Sequence, residues 1–296
     1  MAVQNFQDKT AVITGAAGGI GLALARQAAG RGMKLVLTDL DVDRLQQATA
    51  SLGLPPERLL LHAADVSREA DVAALADASF ARFGAVHLLF NNAGVGCSRL
   101  TTEHSTADWD WVLGVNLMSV VHGIRHFVPR MQQQGEPSHV VNTASAAGLV
   151  SSPGMAAYNV SKHGVVTLSE TLYAELAEQK SQVGVSVLCP AWVPTGINQS
   201  ARHRQPRFGA EPELSPQSTA YAVRMAQAVQ SGKLTPDDIA RITFSAVEQG
   251  QFYIVPHRKI LQAVELRCQD MVQGRNPTPL TPPASPTPPA AAEVSR

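Results

Sequence analysis

The chain of 296 residues carries 24 Lys plus Arg and 24 Asp plus Glu, and this balance gives no electrostatic reason to expect a nucleic acid or an anionic membrane as a partner. Its length suffices to bury a large core without a staple, and its three cysteines form neither a C-x-x-C motif nor a cluster with histidines. Because the first residues lack a signal-peptide layout and no apolar run is suited to span a membrane, we expect a cytoplasmic protein that binds no metal.

The first elements along the chain predict a strand, a glycine-rich loop, a helix and a second strand. A β-branched apolar run at 10–14 stops at Gly15, and the second strand covers 35–38. Between them the loop G-A-A-G-G-I-G, with glycines at 15, 19 and 21, opens the helix. Missing side chains in such a loop let backbone N–H groups and the helix N-terminus approach a pyrophosphate. We therefore favour a dinucleotide-binding βαβ unit over a plain flexible turn.

An acidic residue, Asp39, ends the second predicted strand. A carboxylate at this place can accept hydrogen bonds from both hydroxyls of an adenosine ribose, and it repels a 2′-phosphate. No Lys or Arg stands in the glycine loop or directly after Asp39, so the sequence predicts NAD as the cofactor. Asp39 could instead cap the helix that begins near Val42, but Asp41 is better placed to be that cap.

Polar residues follow the next two predicted strands, at 59–63 and 86–90. Asp65 follows the first of them, either as a residue of the next helix cap or as a contact to adenine. Asn91–Gly94 follows the second, where the carboxyl end of a parallel strand meets a ligand. Further on, Asn116 stands in the middle of a long helical region; since Asn is a mediocre helix former, it either bends the helix or holds water.

A fifth predicted strand, at 139–143, leads to the residues with the clearest chemistry. In a helix predicted from about Met155 to Glu178, Tyr158 and Lys162 are four positions apart and share one face. A nearby cation stabilises a phenolate and brings the pKa of tyrosine toward neutrality, where acid–base catalysis is most effective. Ser145 offers a hydroxyl to the same substrate oxygen. Taken alone, this spacing is more often a surface pair, and the surrounding motifs favour the catalytic interpretation.

The remaining regular elements are two strands and two helices. The strands are predicted at 183–188 and 252–255, and the helices begin at Pro236, after the capping residue Thr235, and at Ile260.

Two irregular stretches complete the chain. The segment 192–216 is rich in proline and contains the basic patch Arg202-His203-Arg204, and we expect it to be a lid beside the site. The proline-rich residues 275–296 are expected to form a disordered tail after a single catalytic domain covering 1–274.

Together these motifs resemble the compact, single-domain branch of the short-chain dehydrogenase/reductase family. The shared features, in order over about residues 8–255, are T-G-A-A-G-G-I-G at 14–21, Asp65-Val66, N-N-A-G at 91–94, Asn116, Ser145, Tyr158-x-x-x-Lys162, and Pro190 with Thr195. The resemblance implies an α/β protein with a Rossmann-like, doubly wound sheet of about seven parallel strands and helices on both faces. It also implies hydride transfer between a nicotinamide cofactor and an alcohol or carbonyl compound, in a homodimer or homotetramer that pairs through the tyrosine-bearing helix.

The same resemblance implies a role for each matching residue. Tyr158 would be the general acid/base, and Lys162 would lower its pKa and grip the nicotinamide ribose. Ser145 would orient the substrate oxygen, and Asn116 would support a water in the proton relay. The cofactor would be held at its phosphates by Gly15, Gly19, Ile20 and Gly21, at the adenine by Asp65 and Val66, along the ribose by Asn92 and Gly94, and near the carboxamide by Val193 and Thr195. One departure is Ala191, where the family usually has glycine; it concerns the local backbone and not the chemistry.

The positions expected to wall the substrate site are nearly all apolar or small. They are Val95, Gly96, Cys97, Ser145, Ala146, Ala147, Leu149, Trp192 and Ile197. Since no Arg or Lys among them can clamp an anion, the predicted substrate is a neutral, fairly hydrophobic secondary alcohol or ketone. Two alternatives remain: a non-catalytic dinucleotide-binding redox sensor, and a dehydrogenase whose basic patch binds an anionic acyl-coenzyme A or hydroxy-acid substrate.

Overall fold

The computed structural model describes residues 3–279, and over this range the chain forms one seven-stranded, all-parallel sheet with α-helices in the connections. The strands are β1 (Thr10–Thr14), β2 (Lys34–Asp39), β3 (Leu59–Ala63), β4 (Leu88–Asn91), β5 (Ser138–Thr143), β6 (Val183–Leu188) and β7 (Tyr253–Ile254). The helices are α1 (Gly19–Gly30), α2 (Val42–Thr49), α3 (Glu69–Phe83), α4 (Thr106–Leu113), α5 (Ser119–Gln133), α6 (Ala156–Glu178), α7 (Pro216–Gln230), α8 (Pro236–Glu248) and α9 (Ile260–Val272). The predicted fold class is confirmed.

The strand order, β3-β2-β1-β4-β5-β6-β7, reverses direction between β1 and β4. In β1, Ala11 and Ile13 lie in one buried apolar cluster and Val12 in the other, as expected for a strand whose side chains alternate between faces. Both faces of the sheet are therefore covered by apolar side chains, which explains the nearly continuous hydrophobic character of its strands. The carboxyl ends of β1 and β4 open at the point of reversal, where α/β sheets bind ligands.

The structure divides into two compact units, Met1–Arg258 and Lys259–Arg296. All strands and the candidate site lie in the first unit. In the second, Asp270 accepts hydrogen bonds from Arg275 Nε at 3.0 Å and from the Thr278 backbone N–H at 2.9 Å, at the end of α9. The predicted domain limit at residue 274 stays a prediction, and the predicted tail lies outside the described residues from position 280 onward.

Two of the predicted strands are shorter than expected. β4 begins at Leu88 and β7 has only two residues. The segment 192–216 is irregular, as predicted, with short 3₁₀ turns at Ile197–His203 and Pro206–Phe208. Within residues 3–279, no helix combines the length and apolarity needed to cross a membrane, and no group of three His, Cys, Asp or Glu side chains could hold a metal ion.

Candidate active site

The glycine-rich loop after β1 packs closely against the loop after β4. Gly15 has a φ of +67°, and a Cβ on it would lie 2.9 Å from Ala93 Cα. A Cβ on Gly21 would overlap the Gly15 carbonyl oxygen and lie 2.7 Å from Asn92 Nδ2. Glycine at both positions therefore allows the close packing of this loop at the N-terminus of α1. The bare backbone fits the phosphates of a dinucleotide, which helix N-termini bind through their free N–H groups.

Hydrogen bonds join the ends of β1 and β4. Thr14 Oγ1 accepts from the backbone N–H groups of Asn92 and Ala93, at 2.9 and 3.0 Å. Asn92 Nδ2 donates to the Thr14 carbonyl oxygen at 2.9 Å. The Asn92 side chain, expected along the cofactor ribose, is therefore used to hold the two strand ends together.

Asp39, the last residue of β2, and Asp41 have different roles. Asp39 Oδ2 accepts from the Ala17 backbone N–H at 3.0 Å, and its Oδ1 accepts from Leu40 N–H at 2.9 Å. Asp41 caps α2, accepting from Arg44 N–H at 3.0 Å, as the sequence predicts. Asp39 is thereby fixed at the glycine loop, with its carboxylate directed by two backbone groups.

Asp65, at the end of β3, is not a helix cap. The cap position of α3 belongs to Arg68, and neither Asp65 nor Ser67 fills it. Instead Asp65 Oδ1 accepts from Ser67 N–H at 3.1 Å, and Oδ2 pairs with Arg207 Nη2 at 2.7 Å. Neighbouring Val66 buries its side chain in the core, so only its backbone is available to a ligand.

Asn116 lies in a π-helical segment, Gly114–Met118, between α4 and α5. Its Oδ1 accepts from the Val95 backbone N–H at 2.8 Å, while Nδ2 donates to the Val95 carbonyl oxygen and to Ser161 Oγ, both at 3.0 Å. The helix thus deforms at this residue, one of the two roles the sequence left open. Such π segments occur often at functional sites.

Ser145 follows β5, with its side chain buried beside the turn after β6. Its Oγ accepts from the Ala147 N–H at 3.1 Å and donates to the Pro190 carbonyl oxygen at 3.3 Å. Ala191, the position where the family usually has glycine, donates its N–H to His257 Nδ1 at 3.1 Å. With alanine at position 191, this turn still forms hydrogen bonds through the Pro190 carbonyl oxygen and the Ala191 N–H.

Tyr158 and Lys162 lie on the first turns of α6 and are 8% and 2% exposed. Burial raises the pKa of Tyr158 above its ordinary value, and the nearby Ser145 hydroxyl opposes this shift. Lys162 is not among the causes of this shift, and the sequence-based expectation that it lowers the pKa of Tyr158 stays a prediction. Lys162 Nζ lies 5.7 Å from the centre of the tyrosine ring and donates to the Thr143 carbonyl oxygen at 2.9 Å, so desolvation of the phenol dominates.

Burial also lowers the pKa of Lys162, to about 8. The side chain reaches the loop after β4, since a Cβ on Gly94 would lie 3.4 Å from both Lys162 Nζ and Asn116 Oδ1. Gly94, Asn116 and Lys162 are thus brought together on the side of the loop that faces α6. A buried titratable lysine with a lowered pKa is typical of functional sites.

The predicted cofactor residues Val193 and Thr195, after β6, and Ile20, in α1, differ in how they are buried. Val193 is 5% exposed and packs in the core, so its side chain does not face a ligand. Thr195 approaches the glycine loop: a Cβ on Gly19 would lie 3.2 Å from Thr195 Cγ2. Ile20 packs partly buried against the same core as Val193. At Val193 and Ile20 the backbone is therefore the part that can reach a cofactor.

The structure brings some residues of the predicted substrate wall close together. Helix α7, which the sequence analysis did not include in this wall, also lies beside them. A Cβ on Gly96 would lie 3.4 Å from Ile197 Cγ1 and 3.7 Å from Met225 Cε of α7. Ser98 Oγ lies 3.0 Å from Met225 Sδ. Val95 and Cys97 are buried and Leu149 is partly buried, but the Trp192 side chain is 40% exposed. Trp192 therefore does not share the buried environment of the other residues.

The basic patch of the lid is split between two places. Arg204 donates to Asp108 Oδ1 at 2.7 Å, and both residues are buried, with 5% and 0% of their side chains exposed. The remaining nitrogens of Arg204 donate to the carbonyl oxygens of Gly209 and Phe208. Arg202 and His203 contact each other and lie near the glycine loop instead. No surface combining all three basic side chains forms.

The fold and the site define a class of nucleotide-binding α/β oxidoreductase, and comparison with known proteins identifies its family. The family model for short chain dehydrogenases matches residues 9–206. The chain belongs to the short-chain dehydrogenase/reductase family, and it is an oxidoreductase.

Individual relatives cover most of the chain. It is 34% identical over 272 residues to a CLA biosynthesis dehydrogenase/reductase of Lactiplantibacillus plantarum, covering 91% of this chain and 95% of that protein. It is 39% identical over 191 residues to a D-beta-hydroxybutyrate dehydrogenase of Rhizobium meliloti, covering 64% and 73%. A crystal structure of a short-chain dehydrogenase/reductase from Burkholderia phymatum, in complex with NAD, is 48% identical and superimposes with a TM-score of 0.92, covering 94% and 100%.

Proposed function

We propose that this chain transfers a hydride between NAD(H) and a neutral, fairly hydrophobic secondary alcohol or ketone. The observation that carries the proposal is the buried group of Ser145, Tyr158 and Lys162, with Asn116 and Gly94 beside the lysine. These side chains supply a hydroxyl, a phenol and an ammonium group, which is the set needed to bind a carbonyl oxygen and move one proton to it.

The proton chemistry follows from the burial of these groups. When bound, the nicotinamide supplies or accepts the hydride, which is the only redox step. A phenol whose pKa is raised by burial stays protonated near neutral pH, so Tyr158 can donate its proton to the oxygen of a ketone as negative charge develops there. Ser145, whose hydroxyl donates to the Pro190 carbonyl oxygen in this structure, can rotate that proton toward the same substrate oxygen. Lys162, with its pKa at about 8, can exchange a proton near neutral pH and return it toward the tyrosine.

Two observations support NAD as the cofactor. Asp39 directs a carboxylate from the end of β2, held by the N–H groups of Ala17 and Leu40, where a 2′-phosphate would meet a like charge. The Burkholderia phymatum relative was crystallised with NAD. A like charge in place of a partner should favour NADH over NADPH by about 1–3 kcal/mol, or roughly 5–150-fold in kcat/KM.

A neutral substrate is supported by the apolar wall and by the fate of the basic patch. Ile197 and Met225 approach Gly96, and Arg204 is committed to Asp108. The second candidate is an anionic hydroxy acid, and the observation in its favour is the similarity to D-beta-hydroxybutyrate dehydrogenase. A carboxylate would need a cation in the pocket, and Arg204 has its donors occupied.

We further propose that the chain forms a homodimer or homotetramer through α6. Val160 and Tyr173, both on this helix, are each 50% exposed, so they are available to pack against a second copy of the chain. Sedimentation equilibrium gives the assembly mass directly; a monomer at micromolar concentration would contradict the proposal.

The test of the function is a substrate panel followed by absorbance at the NADH band, with matched neutral and acidic ketones of equal chain length. We expect neutral cyclic or long-chain ketones to turn over at least ten-fold faster in kcat/KM than acetoacetate or acyl-coenzyme A ketones. Preference for the acids would replace the neutral-substrate proposal with the second candidate. If the chain binds NADH but none of the carbonyl compounds in the panel leads to NADH oxidation, the redox-sensor hypothesis replaces both substrate proposals.

A further inference from the structure

Two arginines and a histidine form an unusual cluster between α2 and the lid. Arg44 Nη1 lies 3.3 Å from His203 Nε2, and Arg202 Nε lies 2.9 Å from the same nitrogen. A guanidinium can only donate, so His203 Nε2 accepts and the imidazole is neutral, with its proton on Nδ1. Burial and the neighbouring Arg202 both lower the pKa of His203, which agrees with a neutral ring.

Within residues 3–279, neither guanidinium pairs with a carboxylate. Arg202 Nη1 donates to the uncharged Gln199 Oε1 at 2.8 Å. Two acids just before α2 are engaged by backbone groups, because Asp39 accepts from Ala17 and Leu40 and Asp41 accepts from the Arg44 backbone. Two like charges that share one neutral acceptor repel each other, and an anion between them would remove this repulsion.

The two guanidiniums lie at the phosphate-binding end of the glycine loop. A Cβ on Gly18, the residue before α1, would lie 3.1 Å from Arg44 Nη2. Arg202 Nη2 lies so close to Gly196 that a Cβ there would overlap it. Gly196 follows Thr195, whose methyl group faces Gly19 at the first turn of α1. The cluster thus lies beside a helix N-terminus that already favours anions.

We propose that Arg44 and Arg202, linked by His203, bind a phosphoryl group of the dinucleotide cofactor. The positions of Gly18 and Gly196 favour the diphosphate, and the 2′-phosphate of NADP(H) offers the same chemistry at the edge of the adenosine ribose. This inference rests on the proposed dinucleotide-dependent function. It assigns cofactor binding to one residue of α2 and one of the lid, so that the lid contributes to holding the cofactor as well as covering the substrate.

The test compares ligands that differ by single phosphoryl groups. Dissociation constants of NADH and NADPH are measured by nucleotide fluorescence, and those of adenosine, ADP and ADP-ribose by displacement of NADH. The variants are Arg44→Gln, Arg202→Gln and the charge-preserving Arg202→Lys, with Arg125→Gln on α5 as the control; Arg125 pairs with Glu69 on the surface. Circular dichroism checks that each variant is folded.

For a diphosphate site, each Gln variant weakens NADH, ADP and ADP-ribose about ten-fold, because a charge-assisted hydrogen bond is lost. Adenosine binding stays within about two-fold, and Arg202→Lys recovers part of the loss. For a 2′-phosphate site, only NADPH weakens. Either pattern supports a phosphoryl site and identifies its source, and the second pattern would also contradict the proposed preference for NADH.

Two results would overturn the inference. Equal weakening of adenosine and ADP would show that the cluster only supports the fold of the pocket. Unchanged constants for every ligand would show that the arginines bind no phosphoryl group of the cofactor. If the wild-type chain binds neither NADH nor NADPH, the proposed function itself fails, and this inference with it; binding by the wild type without loss in the variants contradicts the inference alone.

Discussion

The proposed catalytic platform, formed by Asn116, Ser145, Tyr158 and Lys162, contrasts with the predicted lid segment at 192–216. The four platform side chains are between 0% and 8% exposed, and backbone groups of β4, β5 and β6 and their loops hold three of them. The lid has no strand and no long helix. It is attached by arginines, through Arg204 to Asp108 and through Arg207 to Asp65.

The difference shows how one chain meets two requirements. Chemistry needs groups fixed to within a fraction of an ångström, and buried hydrogen bonds to backbone supply that. Cofactor and substrate must also enter and leave, which favours a segment held by a few separable ion pairs. Changes in the platform should therefore affect rate, and changes in the lid should affect binding and local stability.

The largest effect is expected for Tyr158→Phe in the platform. Removing the phenolic proton donor should lower kcat about 10²- to 10⁴-fold, the usual contribution of a general acid. The Kd of NADH should change less than about two-fold, because Lys162 and the glycine loop are untouched. Steady-state rates and fluorescence titration measure the two quantities. Tyr173→Phe, an exposed tyrosine on the same helix, is the control and should leave both unchanged.

The next effect concerns the attachment of the lid. Asp108 is fully buried between Arg204, at 2.7 Å, and Arg99, at 3.7 Å. Asp108→Asn leaves the buried Arg204 without its counter-charge and leaves Arg99 only Glu211, at 3.7 Å, so it should lower the free energy of unfolding by about 3 kcal/mol. Urea unfolding provides the measurement. Asp77→Asn breaks the exposed pair with Arg130 and should change stability by less than about 1 kcal/mol. Similar losses in both variants would mean that the buried pair does not anchor the lid.

A smaller effect is expected on the pH dependence of stability, through His139 in β5. Burial lowers the pKa of His139 to about 3, and its Nε2 donates to Ser186 Oγ at 2.7 Å. Between about pH 6.5 and pH 3 the unfolded chain binds this proton and the folded chain does not, so stability falls as the pH falls. This group contributes about 1.4 kcal/mol per pH unit in that window.

The variant that tests this is His139→Gln, which keeps a donor but does not titrate. Its free energy of unfolding should fall less steeply than that of the wild type between pH 6 and pH 4, and the two slopes should agree above pH 7. Parallel curves throughout the acid range would contradict the assigned pKa.

The smallest effect is expected for the partly exposed pair of Arg207 and Asp65. Its Nη2–Oδ2 distance is 2.7 Å, with 39% of the arginine side chain exposed. Such pairs contribute up to about 1 kcal/mol, so Arg207→Gln should speed NADH release by no more than about five-fold. Stopped-flow displacement measures the rate, and Arg207→Lys should recover part of it. Slower release in the Gln variant would mean that Arg207 competes with the cofactor for Asp65.

Local patterns in the sequence sufficed for the fold. The apolar run at Thr10–Thr14 and the capping residues Asp41 and Thr235 act within a few residues of where they stand, and each has its predicted structure. The approach of Lys162 to Gly94 joins positions 68 residues apart. It could be anticipated only because the motifs resemble a known family.

Contacts between distant segments could not be predicted in this way. Arg207 reaches Asp65 across more than a hundred residues, and Arg44 meets His203 across a similar separation. No spacing rule links such positions, because they depend on how the lid folds back on the sheet. The effect of burial on the pKa of Tyr158 could not be predicted for a related reason: spacing identifies the neighbouring lysine, but the extent of burial follows from the tertiary structure.

The most direct test of the division between platform and lid is single-turnover hydride transfer from a preformed NADH complex, followed by stopped-flow absorbance with a saturating ketone. Tyr158→Phe should bind NADH like the wild type but lose hydride transfer, whereas Arg207→Gln should transfer hydride at the wild-type rate and release NADH faster. Undiminished hydride transfer in Tyr158→Phe would contradict the assignment of the chemistry to the buried platform.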